Sequence, residues 1–278
     1  MALSQGEIAE PARRLLADGY ELMLASNREV LDQLNLDPFG VPITPVDFLA
    51  AGEHPWEVGD LMRVYNVLNE ASFGEKGIPL QNWVMLDLGL LPSAFLLLTL
   101  SAERAAAARS RASESPRSRS VLAAVLDAAD RLGYRGPIPV AGYCAAPTPV
   151  PGAWVGWSLC SAIPGLGTIA KALALEAYGA RTLTGVAQFG DPALRVHRKF
   201  GPMEVLAAVV DLHPVAHTMI YRTQVGQADA EQRPTVMLDP DDLEAQRDLQ
   251  RKIDAGTSRF YILSPGLVDD RVPILECT

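Results

Sequence analysis

At 278 residues, with a formal net charge of −9 and a pI near 5.0, the chain lacks the basic surplus that general nucleic-acid binding demands. Apolar residues make up 49% of it, enough for a sizeable core in one large domain or two small ones. Cys144, Cys160 and Cys277 show no CxxC spacing, and Cys144 and Cys160 lie in apolar strand patterns, which fits reduced thiols better than a disulfide framework.

The first residues, MALSQGEIAEPARR, carry acidic groups and no apolar run, so a cytoplasmic protein is expected. Residues 83–100 and 136–170 are long and apolar. Asp87 and Pro92 break the first, and prolines and glycines break the second, so both read as buried sheet rather than membrane spans.

In chain order, Ala12, Leu15, Leu16, Tyr20, Met23 and Leu24 recur at helical spacing and predict helix through much of residues 8–36. Asn27 would cap a second helix from 28 to 34, and residues 37–40 form a turn; residues 1–40 thus read as a helical extension. VPITPVDFLA, 41–50, holds a strand that Pro42 and Pro45 assign to a sheet edge. Residues 56–72 form an amphipathic helix on Val58, Leu61, Met62, Tyr65 and Leu68, and a loop follows at 73–77. Residues 83–90 read as a short helix or strand, and 94–100, AFLLLTL, as a central strand. The stretch 102–120, AERAAAARSRASESPRSRS, has no apolar periodicity and reads as a mobile surface loop or a basic arm. A helix over 121–132 ends at Gly133.

Residues 136–170 contain no charge. A strand over 138–145, a proline-rich turn over 147–152 and a strand over 153–161 form antiparallel neighbours, with Val155, Trp157 and Leu159 on one face of the second strand. Gly165, Leu166, Gly167 and Thr168 then run straight into a helix. The free amides and positive dipole end of a helix start suit a phosphate, and glycine allows close approach. The same glycines equally suit a plain strand-to-helix turn that binds nothing. Further on, 181–188 is a strand, and Asp191 and Pro192 open a helix that runs to about 200. Strands follow at 203–212 and 216–223, then a polar linker at 226–233. A short strand at 235–238, a charged helix at 241–255 and a strand at 260–263 complete the pattern.

This order resembles the GCN5-related N-acetyltransferase superfamily. WVGWSLCS followed by GLGTIAKAL lies where that family has its Q/R-x-x-G-x-G/A acyl-CoA loop. GDPALRVHRKFGP is similar to its N-x-x-A-x-x-L-Y-x-K-x-G-F, with Ala193 and Val196 at the apolar positions and Lys199 and Gly201 at the Lys and Gly. The loop is degenerate: Gly165 stands where the family has Gln or Arg, and Thr168 where it has its first glycine. His197 replaces the usual tyrosine.

The resemblance implies an α/β (α+β) fold, a mixed and mostly antiparallel central sheet flanked by helices. The core domain would span 41–225, with an insert near 102–120 and a C-terminal extension over 226–278. It implies an acyl-CoA-dependent N-acyltransferase working by direct attack, with acetyl-CoA or another acyl-CoA as co-substrate and no tightly bound cofactor. The acceptor would be an amine-bearing small molecule or peptide; no nucleic acid, membrane or metal is expected. The backbone of Leu159 and Cys160 would hold the thioester, and that of Gly165, Leu166, Gly167, Thr168, Ile169 and Ala170 the diphosphate. His197 is the candidate acid, with Ser158 and Glu70 for the base, although a water chain or a neutral amine would also serve. Cys160 as a nucleophile and a metal site at His213, His217 and Asp211 are alternatives. Trp154 and Trp157 either line an acyl pocket or pack in the core. Two rival functions remain: a non-catalytic binding or assembly module, and hydrolysis or decarboxylation of an acyl thioester.

Overall fold

The computed structural model of the protein describes residues 5–50, 52–73, 84, 87, 92–111, 116–209, 217–228 and 232–278. It falls into two units. The N-terminal unit comprises Gln5–Pro147 and Trp157–Gly179; the C-terminal unit comprises Thr148–Gly156 and Ala180–Thr278. In both, the strands are mostly antiparallel and helices flank them, which is the α+β class expected.

The N-terminal unit contains α1 (Gln5–Ala17), β1 (Tyr20–Ser26), α2 (Arg28–Leu31), β2 (Thr44–Asp47), α3 (Val58–Phe73), β3 (Ala94–Leu100), α4 (Ala102–Arg111), α5 (Pro116–Leu132), β4 (Ile138–Pro147), the second half of β5 (Ala153–Ser161) and α6 (Leu166–Ala177). Its strand order is β2-β1-β3-β4-β5. Only β1 and β2 run parallel here among the pairs with assigned register; β1–β3 and β3–β4 are antiparallel. Every residue of β3 is buried. Helix α3 packs on β4 and on α5, and α6 packs on β3 and β4. Gly142 of β4 lies against Tyr65 of α3, while the next residue, Tyr143, lies beneath Lys171 of α6. Alternation along a strand therefore puts the two helices on opposite faces of the sheet.

Two sequence expectations fail in this unit. Residues 20–26 are strand, not helix. The YELMLAS run is buried from Leu22 to Ser26 and pairs on both sides, so its apolar residues need no helical face. The chain leaves α1 through Gly19 at φ 80, a left-handed turn that ends the helical pattern. Residues 102–120 are not a loop: α4 and the start of α5 occupy all but 112–115, which lie outside the described residues. Alanine has the highest helix propensity, and Ala105 is buried without the large side chains that periodicity searches find. Edge strand β2, containing Pro45, agrees with its prolines. The element expected at 83–90 lies largely outside the described residues.

The C-terminal unit begins with the first half of β5. Then come β6 (Thr182–Gln188), α7 (Ala193–His197) with a 3-10 turn at Arg198–Phe200, β7 (Met203–Ala207), β8 (Thr218–Gln224), β9 (Val236–Leu238), α8 (Leu243–Asp254), β10 (Arg259–Ile262) and β11 (Val272–Cys277). The order is β5-β6-β8-β7-β10-β11-β9. Strands β5 and β6 pair in parallel over Ala153–Val155 with Thr182–Thr184; the other pairs are antiparallel. Met203, Val205, Met219, Tyr221, Phe260, Ile262 and Ile274 form the core with Leu249 of α8. Residues of opposite parity on the same strands, Glu204, Arg222 and Tyr261, therefore face away from it. Asp191 accepts from the Ala193 amide at 2.8 Å, as a helix-opening Asp-Pro should. Strand β11 was not anticipated, because its alternation is interrupted by Pro273.

A methyl group on Gly142 would meet Tyr65 Cε2 at 2.5 Å and Leu97 Cδ2 at 3.0 Å. Gly142→Ala is expected to cost about 1–3 kcal/mol in urea unfolding, the usual penalty of overpacking. Tyr65→Leu in the same chain should recover part of that loss. Strictly additive costs would show that the ring is not what excludes the methyl group.

Candidate functional site

Strand β5 buries a hydroxyl and leaves an apolar face partly open. Its buried residues are Trp154, Ser158 and Cys160, whereas Trp157 is 50% exposed and Leu159 is half-buried. Val155, Trp157 and Leu159 do share a face, but it is the more open one. The polar face is held by α3: Ser158 Oγ donates to Asn69 Oδ1 at 2.9 Å, and the Cys160 thiol lies 3.5 Å from Tyr65 Oη and 3.9 Å from the Gly142 carbonyl. One helical turn supplies both Tyr65 and Asn69, and side chains four apart share a helix face. Asn69 is fully buried, and its Nδ2 has no partner among the described residues.

After β5 the chain turns at Ser161, whose Oγ donates to the Ile163 carbonyl at 2.5 Å and accepts from the Ile163 amide at 3.3 Å. Gly165 caps α6 with φ 86, and a side chain there would meet open space. The positive φ, rather than crowding, is what calls for glycine. A Cβ on Gly167 would lie 3.5 Å from Leu159 Cδ1 and 3.4 Å from Ser161 Cβ, so the open face of β5 meets the start of α6. In that first turn, the Leu166 amide donates to Ile163 at 3.3 Å, and the amides of Thr168 and Ile169 to Gly165 at 3.1 and 3.4 Å. The Gly167 amide has no acceptor among the described residues. Thr168 and Ile169 are half-buried, and Ala170 is buried.

The remaining candidates are dispersed. Glu70 is exposed, and its Oε1 accepts from Asn66 Nδ2 at 3.0 Å. His197 belongs to the C-terminal unit, where it is buried with Nδ1 3.2 Å from Tyr221 Oη. Gly185 on β6 makes room for that phenol: a methyl group there would sit 2.6 Å from Tyr221 Oη. His217 Nδ1 lies 3.1 Å from Gln246 Nε2, while Asp211 and His213 are outside the described residues.

Burial dominates the electrostatics around β5. Desolvation pushes the Cys160 thiol up to about 12, against lesser lowering by its contacts with Tyr65, Ser158 and the Gly142 carbonyl. A thiol held protonated at neutral pH is a poor nucleophile, which argues against a covalent cysteine route. Burial likewise raises Tyr65 and Cys144 well above their ordinary values. Lys171 of α6 is buried, with Nζ 5.6 Å from the Tyr143 ring centre, and desolvation lowers its pKa from 10.5 to about 7.

Asn66, Asn69, Lys171 and Tyr221 were not singled out from sequence. Asn66 and Asn69 fall beside Met62 and Tyr65 on the apolar stripe of α3, and a buried amide on such a stripe is the signal that was available.

No protein-family model matches the chain, and no curated protein matches it. Among solved structures it is similar to a crystal structure of FemX, at 10% identity and a TM-score of 0.29, over 83% of this chain and 53% of that one. The chain thus spans about half the length of that protein, and a likeness this low transfers neither fold detail nor activity. No helix among the described residues is long and apolar enough to cross a membrane.

Lys171 yields a prediction about stability. From about pH 7 to 10.5 the folded chain holds this amine neutral while the unfolded chain keeps it protonated. The unfolded state then binds more protons, so stability rises with pH, by at most about 1.4 kcal/mol per pH unit from this group. Urea titrations across that interval should show Lys171→Met losing the slope; parallel curves for variant and parent would refute it.

Proposed function

We propose that the chain is an acyl-CoA-dependent N-acyltransferase that works by direct attack of an amine on a thioester. The observation that carries this reading is the open apolar face of β5. An apolar face formed by Trp157 and Leu159 lies open and leads, through the Leu159–Gly167 approach, to the glycine-capped start of α6. An acyl-CoA has matching parts: a long, weakly polar pantetheine arm and a diphosphate. The arm would lie along β5, and the diphosphate would meet the Gly167 amide and the positive end of the helix dipole. Pairing of β5 with β6 as a parallel couple within mostly antiparallel strands, and the Asp191–Gly201 segment, support the same family resemblance.

The chemistry would run as one displacement. The amine nitrogen forms a bond to the thioester carbon, the C–S bond breaks, and the leaving sulfur takes a proton. A backbone amide at Leu159 or Cys160 would stabilise the oxyanion. His197 is the proposed acid. Its Nδ1 lies 3.2 Å from Tyr221 Oη, and an imidazole is suited to deliver a proton near neutrality. Ser158 is committed to Asn69 and Glu70 to Asn66, so an amine that arrives neutral needs neither as base. The acceptor would be a small amine or a peptide, and acetyl-CoA or a longer acyl-CoA the donor.

Thr168→Glu tests the diphosphate end without weakening the helix. A carboxylate in the first turn favours helix formation by about 0.3–1 kcal/mol but repels an anionic ligand. The unliganded variant should melt at or above the parent temperature. Acetyl-CoA and longer acyl-CoAs should raise the parent's Tm and barely move the variant's. The reading fails if no acyl-CoA shifts the parent, or if parent and variant respond alike.

A further inference from the structure

The face of the C-terminal sheet turned away from its core carries a row of charged and polar side chains. Register places Arg222 of β8, Glu204 of β7 and Tyr261 of β10 side by side on adjacent strands. Arg259, two residues before Tyr261, reaches the same carboxylate. Glu204 Oε2 accepts from Arg222 Nε at 3.1 Å and Nη2 at 2.5 Å; Glu204 Oε1 accepts from Arg259 Nε at 2.8 Å and Nη2 at 2.6 Å. Each guanidinium therefore meets Glu204 side-on, and the Arg259 group also stands 5.6 Å from the Tyr261 ring centre. Burial alone would raise the Glu204 carboxyl, but hydrogen bonds from the two arginines outweigh it and hold the pKa below its ordinary value.

This trio lines a concavity of about 440 Å³, together with Gln224, Gln227 and Tyr261. The volume lies within the range of small-molecule sites. Two guanidiniums against one carboxylate leave a net charge of +1 in a chain whose overall charge is −9. A guanidinium has five N–H donors, and a side-on fork uses those on Nε and one on Nη2. The Nη1 ends of Arg222 and Arg259 thus keep donors for a second oxyanion. Side-chain amides and a phenol beside them supply further neutral hydrogen bonds, and the Tyr261 ring supplies a flat apolar wall.

We propose that this concavity is a binding site for a small molecule bearing one oxyanion group, a carboxylate or a phosphate monoester, held by the Arg222–Glu204–Arg259 trio through its surplus positive charge. The proposal uses residues of the C-terminal unit alone and does not rest on the proposed acyl-CoA site. Glu204 acts as an internal competitor that orients both forks while limiting affinity.

The full chain is titrated calorimetrically with inorganic phosphate and, separately, with acetate, each against chloride at constant ionic strength. Saturable binding of at least one is expected. Arg259→Gln, a change at an exposed position, should weaken it at least tenfold, and Glu204→Gln should strengthen it by releasing the forks. Thr168→Glu should not abolish it. The proposal is overturned if neither anion binds the parent or Glu204→Gln, if Arg259→Gln binds as the parent does, or if Thr168→Glu abolishes binding. Circular dichroism of each variant establishes that it is folded; should Glu204→Gln not fold, the Arg259→Gln and Thr168→Glu comparisons decide alone.

Discussion

The hydrogen bond from Ser158 to Asn69 governs how β5 presents itself. A buried hydroxyl without a partner costs more than its bond returns, so a polar residue on a strand ordinarily faces water. Here Asn69 of α3 receives it. Once Ser158 and Cys160 are committed inward, the two-residue period of the strand turns Trp157 and Leu159 outward. The bond itself is worth about 0.5–1.5 kcal/mol. Its larger effect is on which side chains a ligand can meet, and a shift of one residue in register would exchange the two faces completely.

The two units handle polar burial differently. Around β5 the ionisable groups Tyr65, Cys144, Cys160 and Lys171 are kept toward their neutral forms by desolvation. Neutral groups need only hydrogen bonds or packing, which suits a buried interior. In the C-terminal unit the core-facing strand positions are mostly apolar, but Arg198 is buried with Nη1 donating to the Gly201 carbonyl, and on the opposite face Glu204 stays ionised because two arginines fix it.

Much of the order of elements was legible because local signals agreed with the tertiary result. Residues 94–100 offered an apolar run of strand length, Asp191-Pro192 a helix start, and the prolines of 41–50 an edge. The failures had non-local causes. LMLA at 22–25 satisfies a helix or a doubly covered strand equally well, and the choice is made by β2 and β3, which lie far along the chain. The alanine run in α4 buries Ala105, a small side chain that carries little hydrophobic signal. Of the candidate site, the glycine cap at Gly165 and its helix could be read locally. The partners Asn69 for Ser158 and Tyr221 for His197 could not, since 89 and 24 residues separate them.

The start of α6 also sets how an acyl-CoA would distribute its binding energy. Three of its first-turn amides already have internal acceptors, and the bonds made by Leu166 and Ile169 are long, at 3.3 and 3.4 Å. A diphosphate could draw one of them away at small cost, but it would begin with the Gly167 amide and the helix dipole. No arginine or lysine stands between Gly136 and Ala170, so no nearby cation in that stretch adds to them. Charge at a helix start contributes about 0.3–1 kcal/mol when exposed and up to about 2 when partly buried. Burying apolar surface yields about 25 cal/mol per Å², so 100 Å² of pantetheine or acyl chain laid on Trp157 and Leu159 would match or exceed that contribution. On these magnitudes the apolar arm, not the phosphates, would dominate the affinity of the proposed complex. The degenerate loop would then weaken only the smaller of the two contributions.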